Sequence, residues 1–255
     1  MTARTARRQE ASDLTVVVPS HNGAFLEFAL ESLRNQTCAP RQVIVVDDGS
    51  PHGLVSSLAA SYGFASIRNP HPTGESRART KGVEAASTTW VLNLDGDDVA
   101  EPDFVQAMWD ACRRSPRIGV VYSNARVVGS DDLFPHIHAW NPRSLQSQNF
   151  IAANSAFRRD VCLAAGGFDP ACVVFADWDM WLTFAERRWK FEFIGTPLWQ
   201  YRIHESSVLR TTDERTPKDV TAYIRQKHQR YMRRYWLRRS LRHARSAVHR
   251  RIGSR

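Results

Sequence analysis

The sequence predicts an α/β protein: a doubly wound, mostly parallel sheet flanked by helices, with a basic helical extension at its C-terminal end. Two observations carry the sheet. Short apolar or β-branched runs alternate with segments of helical periodicity from residue 14 to residue 203, the pattern of strands joined by right-handed helical crossovers. Two of those runs end in acid–glycine turns, Asp47-Asp48-Gly49 and Asp95-Gly96-Asp97-Asp98. A third observation sets the extension apart. Residues 220–255 hold 12 Lys and Arg and no Asp or Glu, so residues 1–219 keep 23 of the 35 basic and all 26 acidic side chains, a net of −3 against +9 for the chain.

The elements follow in order. Residues 14–18 form the first strand, closed by Pro19, which has no N–H to give to a ladder, and Ser20 to Gly23 make a turn. Between 24 and 35 the apolar residues Phe25, Phe28, Ala29, Leu30 and Leu33 fall at helical spacing. A second strand over 42–46 precedes a helix around 54–61, a short strand over 64–67 and a helix over about 74–86. The fourth strand, 90–94, is a short continuous apolar run, as expected of a strand buried on both faces. Pro102 suits the first turn of a helix over 103–114, and a strand over 118–123 comes next.

Residues 130–149 are polar, carry Pro135, Pro142, His136, His138 and Trp140, and read as a long surface loop of the kind that serves as a functional lid or stays disordered. Residues 150–157 lead into a short helix at 159–165, broken by Gly166-Gly167. The stretch 177–189 is an amphipathic helix with Met180, Trp181, Phe184 and Ala185 on one side. Two strands, 191–194 and 199–203, precede one long basic helix after Pro217.

Composition bounds the class. A chain of 255 residues with 42% hydrophobic and 10% aromatic side chains can bury a substantial core, and none of its apolar runs approaches the length needed to span a bilayer. Residues 1–12 read as a frayed arm, since the arginines there have no apolar run behind them that would make a secretory signal. Cys38, Cys112, Cys162 and Cys172 show no Cys-x-x-Cys pairing, which points to reduced thiols in a cytoplasmic protein.

The acid turns carry the chemistry. In open α/β sheets ligands bind beyond the carboxyl ends of the strands, and that is where Asp95, Asp97 and Asp98 stand. Carboxylates one residue apart on a turn can face one hard cation, Mg²⁺ or Mn²⁺, whose other ligands come from water and substrate phosphates. The plain alternative is a solvated turn, which Asp and Gly favour in any case.

Six motifs in order decide between these readings: Pro19-Ser20-His21-Asn22, Val46-Asp47-Asp48-Gly49-Ser50, Gly74-Glu75-Ser76-Arg77-Ala78-Arg79, Leu94-Asp95-Gly96-Asp97-Asp98, Gly166-Gly167-Phe168-Asp169 and Asp177-Trp178-Asp179-Met180-Trp181. Together, over roughly residues 14–206, they resemble a family-2 glycosyltransferase of the GT-A fold. The resemblance implies a GT-A domain over 13–206, with a nucleotide-sugar half over about 13–125 and an acceptor half over about 126–206, followed by a basic helical tail over 207–255. It implies non-processive, inverting transfer from a nucleotide-diphosphate sugar to a hydroxyl of a glycan or lipid-linked acceptor, as in cell-surface polysaccharide or glycolipid synthesis. The Gln-x-x-Arg-Trp motif of processive synthases is absent.

The same resemblance distributes the roles. Pro19, His21, Asn22, Asp47, Asp48, Arg79 and Asp95 fall at donor-binding positions, although His21 replaces a common aromatic and Thr80 stands where Asn is usual. Asp97 ligates a divalent cation, Mn²⁺ or Mg²⁺, with Asp95 beside it and Asp98 supporting them. His204 is a further candidate, as metal ligand, phosphate donor or structural histidine. Asp177 matches the catalytic base, with Asp179 as fallback, and Ala176 occupies the place of the usual partner acid. The acceptor is expected against residues 130–149, Asn154, Gly167, Phe168 and Trp178.

In the tail, Leu237, Leu241, Ala244, Val248 and Ile252 share a helical face ringed by Arg238, Arg239, Arg242 and Arg245. Such a helix suits an anionic membrane surface, reached by residues 220–255 of a peripheral protein at the inner face of the membrane. Docking on the body or on a second subunit is the alternative. Nucleic acid is the least favoured partner, because no recognition motif accompanies the charge. The rival function is a catalytically inactive GT-A-like binding protein that uses this tail.

Overall fold

The computed structural model describes residues 9–130, 132–134, 136–205, 213 and 215–232. Its N-terminal half is a parallel sheet: β1 (Gln9–Ser20) lies between β2 (Cys38–Asp47) and β4 (Trp90–Asn93), and β3 (Ala65–Arg68) pairs with the far side of β2. The crossovers are α1 (Leu26–Arg34), α2 (Leu54–Ser61) and α3 (Glu75–Ala85). β4 is followed by the two-residue strand β5 (Val99–Ala100), by α4 (Phe104–Cys112) and by β6 (Ile118–Val127). After α5 (Pro142–Ser147) come β7 (Ala156–Arg158), α6 (Arg159–Ala164), α7 (Ala176–Glu186), β8 (Lys190–Tyr201) and α8 (Thr216–Lys227). All eight strands form one sheet in the order β3-β2-β1-β4-β7-β6-β8-β5. It is mixed, because β7 runs antiparallel to both neighbours and β5 antiparallel to β8.

The apolar runs are continuous because both faces of the sheet are covered. Val16, Val18, Val43, Val45 and Leu92 share a core with Leu30 of α1, Val55 of α2 and Phe104 and Met108 of α4. The intervening Val17, Ile44, Val46 and Val91 share another with Ala78 and Val83 of α3 and Trp181 and Phe184 of α7. Burying each such side chain contributes about 1.5–3 kcal/mol, so a polar substitution on either face would be felt at once. The register sends the carboxyl ends of β1, β2 and β4 to one edge, where the chain turns at Ser20, Asp47 and Asn93.

Several expectations change. The first strand begins at Gln9, whose Cα pairs with that of Cys38, so the arm expected through residue 12 is in the sheet from residue 9 onward. The two strands expected over 191–203 are one, β8, and it absorbs its irregularity as register shifts against Ser123, Asn124 and Ala125 of β6. The stretch 130–149 is not a free surface loop. It holds α5, the Trp140 ring stacks on Phe191 at 4.0 Å, and the Tyr122 hydroxyl donates to the His138 carbonyl at 2.9 Å.

The first part of the tail is a docked helix. Val220 and Ile224 of α8 are buried in the second core, and Lys227 donates to both Asp169 and Asp179. Nearby, the His228 ring bonds Asp179 and Glu186. The arginine-ringed apolar face from Leu237 to Ile252 lies outside the described residues. Among the described residues no helix is long and apolar enough to cross a membrane.

Candidate active site

A cavity of about 630 Å³ opens at the sheet edge where β1, β2 and β4 end. The β1 turn supplies Pro19, Ser20, His21 and Asn22, and the next wall is Asp48, Gly74, Glu75 and Arg79. The turn after β4 supplies Asp95, Gly96, Asp97 and Asp98, and Asn149, Asn154, Asp177 and His204 add further polar groups, with Phe175 beside them. Gly96 is there for space. A Cβ would stand 2.9 Å from the Pro19 carbonyl oxygen and 3.1 Å from Ser20 Cβ, so a side chain would push the acid turn off the β1 turn.

Each acid of that turn has its own partner. Asp95 Oδ1 accepts from Arg79 Nη2 at 2.7 Å, and its backbone N–H donates to Asn154 Oδ1 at 2.8 Å. Asp97 Oδ2 lies 2.8 Å from His204 Nε2, and the Asp97 side chain keeps 39% exposure. Asp98 is buried, accepting from the Arg202 backbone N–H at 2.9 Å and from Asn154 Nδ2 at 2.6 Å. Burial first, and then the charges of Asp97 and Asp95, raise the Asp98 carboxyl well above its ordinary value. Asp98 therefore ties the acid turn to the end of β8.

Arg79 is held inside the wall, 4% exposed, pairing with Glu75 as well as Asp95. Burial opposes its charge, but the two carboxylates outweigh that and raise its pKa. Glu75 is pushed up to about 7, mainly by burial and also by Asp95, Asp177 and Asp97, with Arg79 opposing. Its side chain is still 38% exposed, and water there moderates the shift. Its signal in the sequence was the i, i+4 spacing from Glu75 to Arg79 at a helix start.

Asp177 stands in the first turn of α7, where the helix dipole favours a carboxylate. Phe175, just before it, is held at φ 60°, a left-handed conformation that costs a non-glycine residue about 1–2 kcal/mol. Asp177 Oδ1 accepts from the Trp178 N–H and Oδ2 from Asn149 Nδ2, both at 2.9 Å. Burial raises the carboxyl, against the opposing hydrogen bond from Asn149 and the charge of Arg79. Asn149 carried no signal, being 28 residues away on a loop.

The other expected contacts fall elsewhere. Asp47 does not line the cavity. It is fully buried, taking hydrogen bonds from the Ser50 and Ser56 backbones, the Ser56 hydroxyl and Arg68, so it fastens the turn to α2. Asp48 does line it, but Asn69, Thr73 and Gly74 already donate to its carboxylate. Burial would raise Asp48, yet those bonds outweigh it and hold the carboxyl below the usual range. His21 Nδ1 reaches the Asp48 carbonyl at 2.8 Å, and Asn22 Oδ1 accepts from the Ala24 N–H at 3.1 Å.

Gly167, Phe168 and Trp178 are core residues, not cavity wall. A Cβ on Gly167 would stand 2.4 Å from Thr80 Cγ2; Phe168 is 1% and Trp178 2% exposed, with the Trp178 indole N–H donating to the Leu145 carbonyl. Asn154 lines the cavity, but both ends of its amide are engaged by the acid turn. The fallback Asp179 is buried away from the cavity, bonded by Lys227 at 2.8 Å and His228 at 2.9 Å.

Two groupings bear on a metal. Asp169, Cys172 and Asp179 are compact enough to hold one. There, however, the Lys227 ammonium contacts both carboxylates, at 2.7 and 2.8 Å, and so supplies the positive charge itself. Asp95, Asp97 and His204 all line the cavity, and Asp97 contacts His204, so carboxylate and imidazole donors of the kinds that bind divalent cations face it.

The model of "Glycosyl transferase family 2" matches residues 15–171. An uncharacterized glycosyltransferase of Haemophilus influenzae is 26% identical over 223 residues, covering 84% of this chain and 76% of that protein. Glucosyl-dolichyl phosphate glucuronosyltransferase of Haloferax volcanii is 26% identical over 156 residues, 55% of this chain and 50% of its own length. Among solved structures, S. aureus TarS 1–349 in complex with UDP-GlcNAc superposes with a TM-score of 0.64 at 13% identity, over 79% of this chain and 61% of that one. Mannosyltransferase PcManGT from Pyrobaculum calidifontis, in complex with GDP-Man and Mn²⁺, gives 0.59 at 19% identity, over 77% and 58%. The chain thus spans about half of the Haloferax relative and about three fifths of these solved chains.

Proposed function

Because the chain belongs to glycosyl transferase family 2, and so takes its sugar from a nucleotide-sugar donor, we propose that it transfers that sugar with inversion to a hydroxyl of a glycan or lipid-linked acceptor. The observation that carries this reading is one cavity walled both by the Asp95–Asp98 turn and by Asp177. The first is a place for a diphosphate and its counter-ion, the second for a base.

In this reading the β1 turn, Pro19 to Asn22, and Asp48 flank the nucleoside. A divalent cation would be held here by Asp97 with Asp95 and His204, and would supply positive charge to offset that of the departing diphosphate. Arg79 holds Asp95 in place and adds positive charge to the same wall. Asp177 accepts the proton of the attacking hydroxyl. As the acceptor oxygen bonds to the anomeric carbon, the bond to the diphosphate breaks and its electron pair leaves with the nucleotide. Burial raises the Asp177 carboxyl, the direction that suits a general base, while the Asn149 hydrogen bond and the Arg79 charge favour its carboxylate form.

The solved neighbours in complex with UDP-GlcNAc and GDP-Man support a sugar-nucleotide donor, and the glucosyl-dolichyl phosphate glucuronosyltransferase relative and the basic sequence of residues 220–255 support a membrane-borne acceptor. The test is a thermal-shift series with UDP-GlcNAc and GDP-Man, with and without Mn²⁺, followed by the anomeric configuration of any product. A ligand that binds only the folded state raises the melting temperature. No shift with any sugar nucleotide would remove the reading, and a retained anomeric configuration would remove the single displacement.

A further inference from the structure

Asn149 has a task still unassigned. Its Nδ2 donates to Asp177 Oδ2, while its Oδ1 is buried with no hydrogen-bond partner, and both residues line the cavity. The orientation of the amide follows from the carboxylate, since the reverse would set oxygen against oxygen.

We propose that Asn149 positions Asp177 and also accepts a hydrogen bond from a second hydroxyl of the acceptor, so that the pair reads a vicinal diol, as on a sugar ring, and not an isolated alcohol. The inference rests on Asp177 being the base. Asn149 is firmly placed. It follows α5, whose Leu145 is fully buried and accepts from the Trp178 indole, and it precedes Phe150, which stacks on His138 at 4.1 Å. Trp178 thus grips, from the residue next to the base, the segment that carries Asn149. The Asp177 oxygens have one protein donor each, so Oδ2 retains capacity for the attacking hydroxyl. The neighbouring hydroxyl then has the Asn149 carbonyl as its acceptor. The proton moves from the attacking hydroxyl to Asp177, and Asn149 neither gains nor loses one.

Two observables separate this role from a structural one. Loss of the Asn149 N–H removes a bond that favours the carboxylate, so the acidic limb of the pH–rate profile shifts upward. Loss of the carbonyl removes the preference for a diol.

The experiment uses the full chain, Mn²⁺ and whichever of UDP-GlcNAc or GDP-Man raises the melting temperature. The acceptor probes are trans-1,2-cyclohexanediol and cyclohexanol. Wild type is expected to favour the diol by about tenfold, the worth of one hydrogen bond. N149A should lose that preference, keep the donor KM and move the acidic limb upward. N149D keeps the side-chain volume and an acceptor oxygen, so it should move the limb while retaining part of the preference. It also serves if the alanine variant does not fold. Transfer by wild type to neither probe, or equally to both, overturns the diol assignment, and an unmoved acidic limb in both variants overturns the positioning role. Full activity of D177N would instead dismiss the base itself, whatever Asn149 does.

Discussion

His228 Nε2, at the C-cap of α8, lies 2.9 Å from Asp179 Oδ1, joining α8 to α7, the helix whose first turn carries Asp177. The pair is buried on both sides, at 3% side-chain exposure each. Asp179 therefore serves attachment, and the neighbouring turn of the same helix serves the cavity.

That pair makes stability depend on pH with a definite sign. Burial works against the His228 charge, but Asp179 and Glu186 outweigh it and raise its pKa above the ordinary 6.5. A raised folded-state pKa means that the extra stability is complete below 6.5 and lost as pH rises through the folded value. Thermal melts across that interval should show wild type losing its advantage over H228Q as pH rises. Parallel curves for the two proteins would remove the linkage.

The two acids of α7 should fail in different ways. D177N is expected to keep its melting temperature and donor affinity while turnover falls by about 10²-fold or more. D179N should keep turnover per folded molecule but lose about 2 kcal/mol of stability. That is below the usual cost of breaking a buried pair because Lys227 stays 35% exposed and can be solvated. Steady-state kinetics beside denaturant melts separate them, and a dead but stable D179N would reverse the assignment.

Asp97 is expected to govern the cation. In D97N the thermal shift produced by a nucleotide sugar should no longer depend on Mn²⁺, and in wild type EDTA should abolish turnover. H204A should weaken the Mn²⁺ dependence less, because it removes the imidazole beside Asp97 from the donors proposed to hold the cation and leaves both carboxylates. Full wild-type activity in EDTA would end the metal assignment.

Gly167 is expected to matter for folding alone. It sits at φ 80°, and an added Cβ would meet Thr80 Cγ2 at 2.4 Å and Oγ1 at 2.5 Å. G167A should destabilise by about 2–4 kcal/mol, from left-handed strain plus overpacking. Adding T80A should recover the overpacking part only. If G167A instead raised the acceptor KM at unchanged stability, the glycine would belong to the acceptor site after all.

The sequence by itself determined the parallel strands with their crossovers, the acid turn and the family. Apolar runs separated by helical periods specify strands and crossovers locally, and Asp95-Gly96-Asp97-Asp98 follows its strand directly, so its place at the carboxyl edge needs no distant partner. What only the tertiary structure decided is which way each acid faces. Asp47 and Asp48 are adjacent in the chain, yet one is drawn inward by Ser50, Ser56 and Arg68 and the other reaches the cavity wall. Asp177 and Asp179 are two residues apart on a helix, and α8, some fifty residues later, claims the second. Asn149 reaches Asp177 across 28 residues, and His204 reaches Asp97 across 107. A side chain's task depends on which groups converge on it, and convergence over such separations is set by packing, which no local spacing encodes.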